Sequence, residues 1–111
     1  MRFSEPLRKN GDFKEVYGIR RSFADRYLVM YIRRNGTGKN RIGVSVSKKT
    51  GNSVVRHRIK RLVKEGYRLN EDRFSSGLDI VVVARNSAAD VGYREIESAL
   101  LHLGGLHGIV L

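Results

Sequence analysis

The stretch Ser53-Val54-Val55-Arg56-His57-Arg58-Ile59-Lys60-Arg61-Leu62-Val63-Lys64-Glu65 gathers side chains suited to one kind of chemistry, the holding of phosphates. Read as a helix with Ile59 facing a core, it places Lys60, Arg61, Lys64 and Arg68 between about 100° and 200° away, Arg58 near about 260° and Arg56 at the border near about 60°. A solvated helix face ordinarily mixes signs, so that i,i+4 pairs form. Here Glu65 is the single acid among crowded cations, and a polyanion relieves such self-repulsion. The preceding Ser47-Lys48-Lys49-Thr50-Gly51-Asn52 adds two lysines and a helix cap at Asn52 or Ser53. Free N–H groups at a helix start bind phosphate oxygens. The glycine–lysine–Ser/Thr order of a nucleotide P-loop is absent.

A second candidate site is aromatic. Tyr27 and Tyr31 on one strand are expected to lie beside Gly43 and Ser45 on the next, with Arg41 on the same polar face and Phe13 and Tyr17 as a wall. Exposed rings beside small residues make a trough in which unstacked bases can lie. Core packing is the competing reading, since Phe13 and Tyr17 must cover something. Groups for catalysis within the chain are not assembled. Carboxylates are scattered and depleted from the basic stretch, His57, His102 and His107 lack metal-ligand spacing, and Ser45 and Ser47 have no positioned base.

The elements that must position these residues follow from periodicity. Asn10 is expected to cap a short helix ending near Gly18, with Phe13, Val16 and Tyr17 on one face. Tyr27 to Arg33 reads as a strand with Leu28, Met30 and Ile32 on its inner face. Asn35 to Asn40 reads as a hairpin turn into a partner strand, Arg41 to Ser47. The basic helix runs from Ser53 to Asn70, with Val55, Ile59, Leu62, Val63, Gly66 and Leu69 inward. Leu78 to Ala84 is apolar enough for a buried central strand, and Gly92 to Leu103 forms a last helix with Tyr93, Ile96, Leu100 and Leu103 inward. The order α-β-β-α-β-α is that of an α+β sandwich, helices packed on a small sheet.

With 111 residues and 41% hydrophobic side chains, the chain fits a single RNA-binding domain, 1–111. Its net charge of +11 is uneven: residues 1–40 carry +6, residues 41–68 carry +8, and residues 69–111 carry −3. Solubility alone does not require such concentration; a phosphate-docking surface does. Cysteine is absent, which removes disulfides and thiolate metal sites. No apolar run approaches the roughly 20 residues of a membrane span, and the N-terminus lacks an apolar signal core, so the cytoplasm is the expected compartment. A recognition helix for DNA should aim side chains at base edges, whereas this ridge is suited to phosphates. A ribosomal-type RNA-binding protein fits the charge and size equally well.

The run from Arg41 to Glu65 closely resembles the signature of the bacterial ribonuclease P protein subunit. Agreement extends to Leu7-Arg8-Lys9-Asn10-Gly11-Asp12-Phe13, Val16-Tyr17, Leu28-Val29-Met30-Tyr31, Asp79-Ile80-Val81 and Ala84-Arg85. The resemblance implies a two-layer α+β sandwich with an unusual left-handed β-α-β crossover. It also implies a subunit that joins a catalytic RNA to remove the 5′ leader of precursor tRNA, with Mg²⁺ held mainly by that RNA. Candidates for the catalytic RNA are Lys48, Lys49, Asn52, Arg56, His57, Arg58, Lys60, Arg61, Lys64 and Arg68; those for the leader are Phe13, Tyr17, Tyr31, Arg41 and Ser45. No membrane or DNA partner is expected. His57 stands where the family usually has asparagine, and the tail from Leu103 to Leu111 is apolar where relatives often end in lysines.

Overall fold

The computed structural model describes residues 1–111. Its elements are β1 (Ser4–Pro6), α1 (Asn10–Ile19), β2 (Ser22–Ala24), β3 (Leu28–Arg34), β4 (Asn40–Val46), α2 (Ser53–Asn70), β5 (Leu78–Ala84) and α3 (Tyr93–Leu106). All five strands form one sheet, in the order β1-β4-β5-β3-β2. The α+β sandwich expected from the sequence is present, with two short edge strands added. Pro6, the only proline, is the last residue of β1. Three-residue strands are too short to show a period.

The expected hairpin is not formed. Asn35–Lys39 does turn the chain, but β5 inserts between β3 and β4, antiparallel to the first and parallel to the second. The Asn35 side chain closes the turn, accepting from the Thr37 N–H and donating to the Lys39 carbonyl. The turn therefore ends β3 without pairing it to β4. α2 supplies the crossover between the parallel neighbours β4 and β5.

Alternation along the strands divides the sheet into two faces. One carries Leu28, Met30, Ile32, Ile42, Val44, Ile80 and Val82, and packs on α2 and α3 to make the main core. α2 turns Ile59, Val63, Gly66 and Tyr67 inward; Leu69, expected on that stripe, is exposed. Tyr67 takes an inward place because its hydroxyl meets Ser4 Oγ at 2.6 Å and accepts from Asn40 Nδ2 at 3.0 Å. Buried Glu71 accepts the backbone N–H groups of Arg2 and Phe3, fixing the start of β1. α2 and α3 meet at Gly66, where an added Cβ would lie 2.9 Å from Leu100 Cδ1. The apolar tail packs: Ser75 N–H donates to the Ile109 carbonyl, Phe74 pairs with Val110, and Ile109 is buried. His107 is buried too, with Nε2 2.8 Å from the Met30 carbonyl. Burial, with Arg21 nearby, pushes its pKa below the ordinary histidine value against the effect of that bond.

α1 lies alone on the other face, over Leu7, Val81 and Val83. Its cap is Lys9 rather than Asn10, which is already the first helical residue. Val16 is fully buried in this small cluster, and ion pairs join α1 to the sheet as well. Asp79 on β5 is wholly buried and takes a bidentate contact from Arg41 on β4, at 2.8 and 2.6 Å. Asn35 donates to it at 3.0 Å, and Arg33 on β3 approaches to 3.6 Å. Those two arginines then reach α1, Arg41 to Asp12 and Arg33 to Glu15. Burial pushes the Asp79 carboxyl up, but the bonds from Arg41 and Asn35 and the two positive charges hold it below its ordinary value.

Removing one partner of a buried pair strands the other's charge, so Arg41→Ala is expected to destabilise the fold by about 3–5 kcal/mol. Because the folded pKa of Asp79 is depressed, its stabilisation is complete above the unfolded value of about 3.9 and disappears as pH falls through the lower folded value. Urea melts between about pH 5 and pH 2 should show an acid loss that is smaller in Arg41→Ala than in the parent.

Candidate nucleic-acid interface

β1 covers only the first part of β4, pairing Ser4, Glu5 and Pro6 with Asn40, Arg41 and Ile42. Beyond the Leu7 N–H bond to the Ile42 carbonyl, β4 has no outer neighbour, so Gly43–Val46 is an open sheet edge. A groove of about 590 Å³ follows this edge. Phe13 and Tyr17 of α1 line one side, Gly43 and Ser45 the strand, and Lys60 and Lys64 of α2 the other side. The groove thus reaches round the edge, from the α1 face of the sheet to the α2 face.

Gly43 makes room for the aromatic wall. A Cβ there would lie 2.5 Å from Phe13 Cζ and 3.2 Å from Leu7 Cβ, so only glycine lets the ring rest on the strand. Phe13 and Tyr17 have centroids 6.4 Å apart, and Tyr17 meets Tyr31 edge-on at 4.9 Å. All three rings are half-buried. Burial pushes the Tyr17 hydroxyl pKa up, with the neighbouring Ser45 hydroxyl opposing.

The structure alters several sequence assignments. Tyr31 was placed beside Gly43 and Ser45, but Val81 of β5 stands between it and Gly43, so it buttresses Tyr17 from behind. Tyr27 is not in the trough; it packs at the main core, under the Arg26 guanidinium. Arg41, assigned to the leader, is committed to Asp79 and Asp12. Arg8 and Lys14, not singled out in the sequence, line the groove; the position of Lys14 one residue after Phe13 on a helix was the available signal.

The ten positions assigned to α2 and the loop before it divide in the same way. The Asn52 side chain accepts the Val55 N–H at 3.0 Å and serves as the cap. Arg58 turns away to donate to the Ala89 and Val91 carbonyls, joining α2 to the segment before α3. Arg68 pairs with Glu65, and that bond lowers the Glu65 pKa. Arg56 is half-buried, its Nε sealed from solvent without a partner. His57, Lys60, Arg61 and Lys64 form no ion pair, and His57, Arg61 and Lys64 are exposed. Lys48 and Lys49 extend this surface from the exposed loop before α2. No cluster of three or more His, Cys, Asp or Glu side chains is placed to hold a metal ion. The arrangement is therefore one for binding a polyanion and cradling an extended strand.

We expect Gly43→Val to displace the Phe13 ring and destabilise the fold by the roughly 1–3 kcal/mol typical of overpacking. A thermal melt measures the cost, and an aromatic NMR shift at Phe13 reports the displacement.

The model of the ribonuclease P family matches residues 1–105. The ribonuclease P protein component of Lachnoclostridium phytofermentans is 55% identical over 107 residues, covering 96% of this chain and 92% of that one. The component from Clostridioides difficile is 44% identical, covering 87% and 86%. Among solved structures, the Staphylococcus aureus RNase P protein superposes with a TM-score of 0.87 at 34% identity, covering 96% of this chain and 97% of that one. The Thermotoga maritima protein gives 0.81 at 31%, covering 87% and 92%. Likeness of this extent, over nearly the whole chain, shows that the chain belongs to the ribonuclease P protein family.

Proposed function

We propose that the open edge of β4 receives the single-stranded 5′ leader of precursor tRNA, while the exposed cations of α2 and its preceding loop dock the catalytic RNA. The observation that carries this reading is the groove itself. It offers two aromatic rings, the unpaired backbone of Gly43–Val46 and the ammonium groups of Lys60 and Lys64 along one path. Rings stack on bases whatever their identity, and lysines meet the phosphates that link them. A leader of variable sequence is held this way.

The division of labour follows from the side chains. As a protein component of ribonuclease P, the chain contributes binding and orientation to the hydrolysis of one phosphodiester. Its most buried carboxylates, Asp79 and Glu71, are engaged in internal bonds. The donor set therefore does not suit a resident Mg²⁺, and we assign that ion to the RNA. Lys60 and Lys64 lie where the groove meets the ridge, so the leader and the catalytic RNA meet at this seam.

Adding the protein to catalytic RNA at limiting Mg²⁺ should restore accurate cleavage of precursor tRNA, and the protein alone should cleave nothing. Phe13→Ala should weaken holoenzyme binding of a leader-bearing precursor by about 1–3 kcal/mol, the worth of one stacked base, and leave mature tRNA binding unchanged. Equal discrimination between the two substrates by a folded Phe13→Ala protein would remove that ring from the leader site. No stimulation at limiting Mg²⁺ would overturn the reading as a whole.

A further inference from the structure

Two shallow grooves, of about 480 and 440 Å³, meet at Arg26. They lie at the end of the sheet where β4 and β5 finish and β3 begins. One runs past Tyr27 to Arg94 on α3; the other runs to Arg85 and Ser87. All three arginines are exposed, and none forms an ion pair. Asp25 and Glu95 stand in the same groove as Arg26 and Arg94, and Arg85 leaves the patch with a net positive charge. Asp25 accepts the N–H groups of Tyr27 and Leu28 at 2.9 Å each, and Glu95 stands in the first turn of α3, where a helix N-terminus favours an acid. Acids outnumber bases six to three in residues 69–111, yet two of those three bases are here.

Two of the arginines are held in place. The Arg26 guanidinium lies 5.4 Å over the Tyr27 ring, and Arg85 donates one N–H to the Asp25 carbonyl at 2.8 Å, leaving its other donors free. A planar guanidinium with free donors matches phosphate geometry, and prior fixing reduces the entropy lost on binding. The patch is also tied to the surface already described. The Thr50 hydroxyl donates to Asn86 Oδ1 at 2.9 Å, joining the Lys48–Asn52 loop to the residue beside Arg85. Arg58 joins α2 to Ala89 and Val91, just before α3.

We propose that Arg26, Arg85 and Arg94 form a second phosphate-contacting surface, which extends the footprint of the catalytic RNA from α2 round the β4–β5 end of the sheet. The proposal rests on the reading that α2 docks this RNA. A large structured RNA is the partner broad enough to touch both surfaces, whereas the leader groove lies along the outer edge of β4.

The test is binding of the catalytic RNA to the full chain across salt concentrations. Arg26→Gln with Arg94→Gln should reduce the slope of log affinity against log salt by about 1–2 and weaken binding roughly three- to tenfold. Neither side chain makes a hydrogen bond within the protein through its guanidinium, and an unshifted thermal midpoint verifies folding. Arg20→Gln with Arg34→Gln removes the same net charge elsewhere and should keep the parent's slope; an equal loss there would reduce the effect to overall charge and overturn the proposal. Arg61→Gln with Lys64→Gln tests the underlying reading. If that pair loses affinity while the Arg26 and Arg94 pair binds as the parent does, the second surface alone is wrong. If the Arg61 and Lys64 pair also binds as the parent does, the reading of α2 is wrong. If the Arg26 and Arg94 pair assembles normally but the holoenzyme loses affinity for precursor tRNA, the surface serves the substrate and the proposal fails.

Discussion

A carboxylate with no access to water, Asp79, sits beneath α1, and the geometry of the groove follows from how its charge is balanced. Burying an ion costs several kcal/mol, repaid only when partners and hydrogen bonds are close to ideal. Here the partners come from both neighbouring strands. Arg41 and Arg33 converge on Asp79 from β4 and β3, and each also reaches an acid on α1. The network therefore does more than neutralise one charge. It fixes where the short helix crosses the sheet, and with it the position of Phe13 and Tyr17 relative to the edge of β4. α1 thus rests on the sheet through both a small apolar cluster, with Val16 fully buried, and these ion pairs.

The same network explains where a reading of the sequence succeeds and where it stops. α2 is legible over about Ser53 to Asn70 because a cap, a cationic face and an apolar stripe agree over several turns. β5 is legible as Leu78–Ala84 because a strand buried on both faces is nearly continuous in apolar residues. Strand order is another matter. Asn35–Asn40 has the composition of a hairpin turn, and nothing local says that a strand more than thirty residues later will enter the gap. Asp79 was the clue: a charge at the start of an otherwise apolar strand needs partners on both sides, and Arg33 and Arg41 occupy those registers. The error in order carried into the site, placing Tyr31 beside Gly43 and leaving Arg41 free for RNA.

Charge counting overstates the binding surface for a related reason. Arg58 and Arg68 occupy helix positions from which cations can reach solvent, yet the first holds loop carbonyls and the second holds Glu65. Wheel angles give direction but not what lies within reach of a long side chain. Among the cations of α2 and its preceding loop, Lys48, Lys49, Lys60, Arg61 and Lys64 are left without partners. The aromatic row shows a similar economy of exposure: each ring is half-buried, one side covering the small cluster under α1 and Phe13 and Tyr17 also facing the groove. Packing and binding are thus shared by the same rings.

The unpaired stretch of β4 has a consequence for the protein before it meets RNA. A bare strand edge is a template for another copy of the same chain, and cells that make such a protein risk edge-to-edge aggregates. Gly43–Val46 is short, and Lys60 and Lys64 stand over it. Two copies approaching through this edge would bring four ammonium groups together. The lysines that suit the groove to phosphates therefore also act as gatekeepers against self-association. Colloidal behaviour should then track the availability of the polyanion, with the free protein kept dispersed by repulsion and the bound protein protected because its edge is occupied.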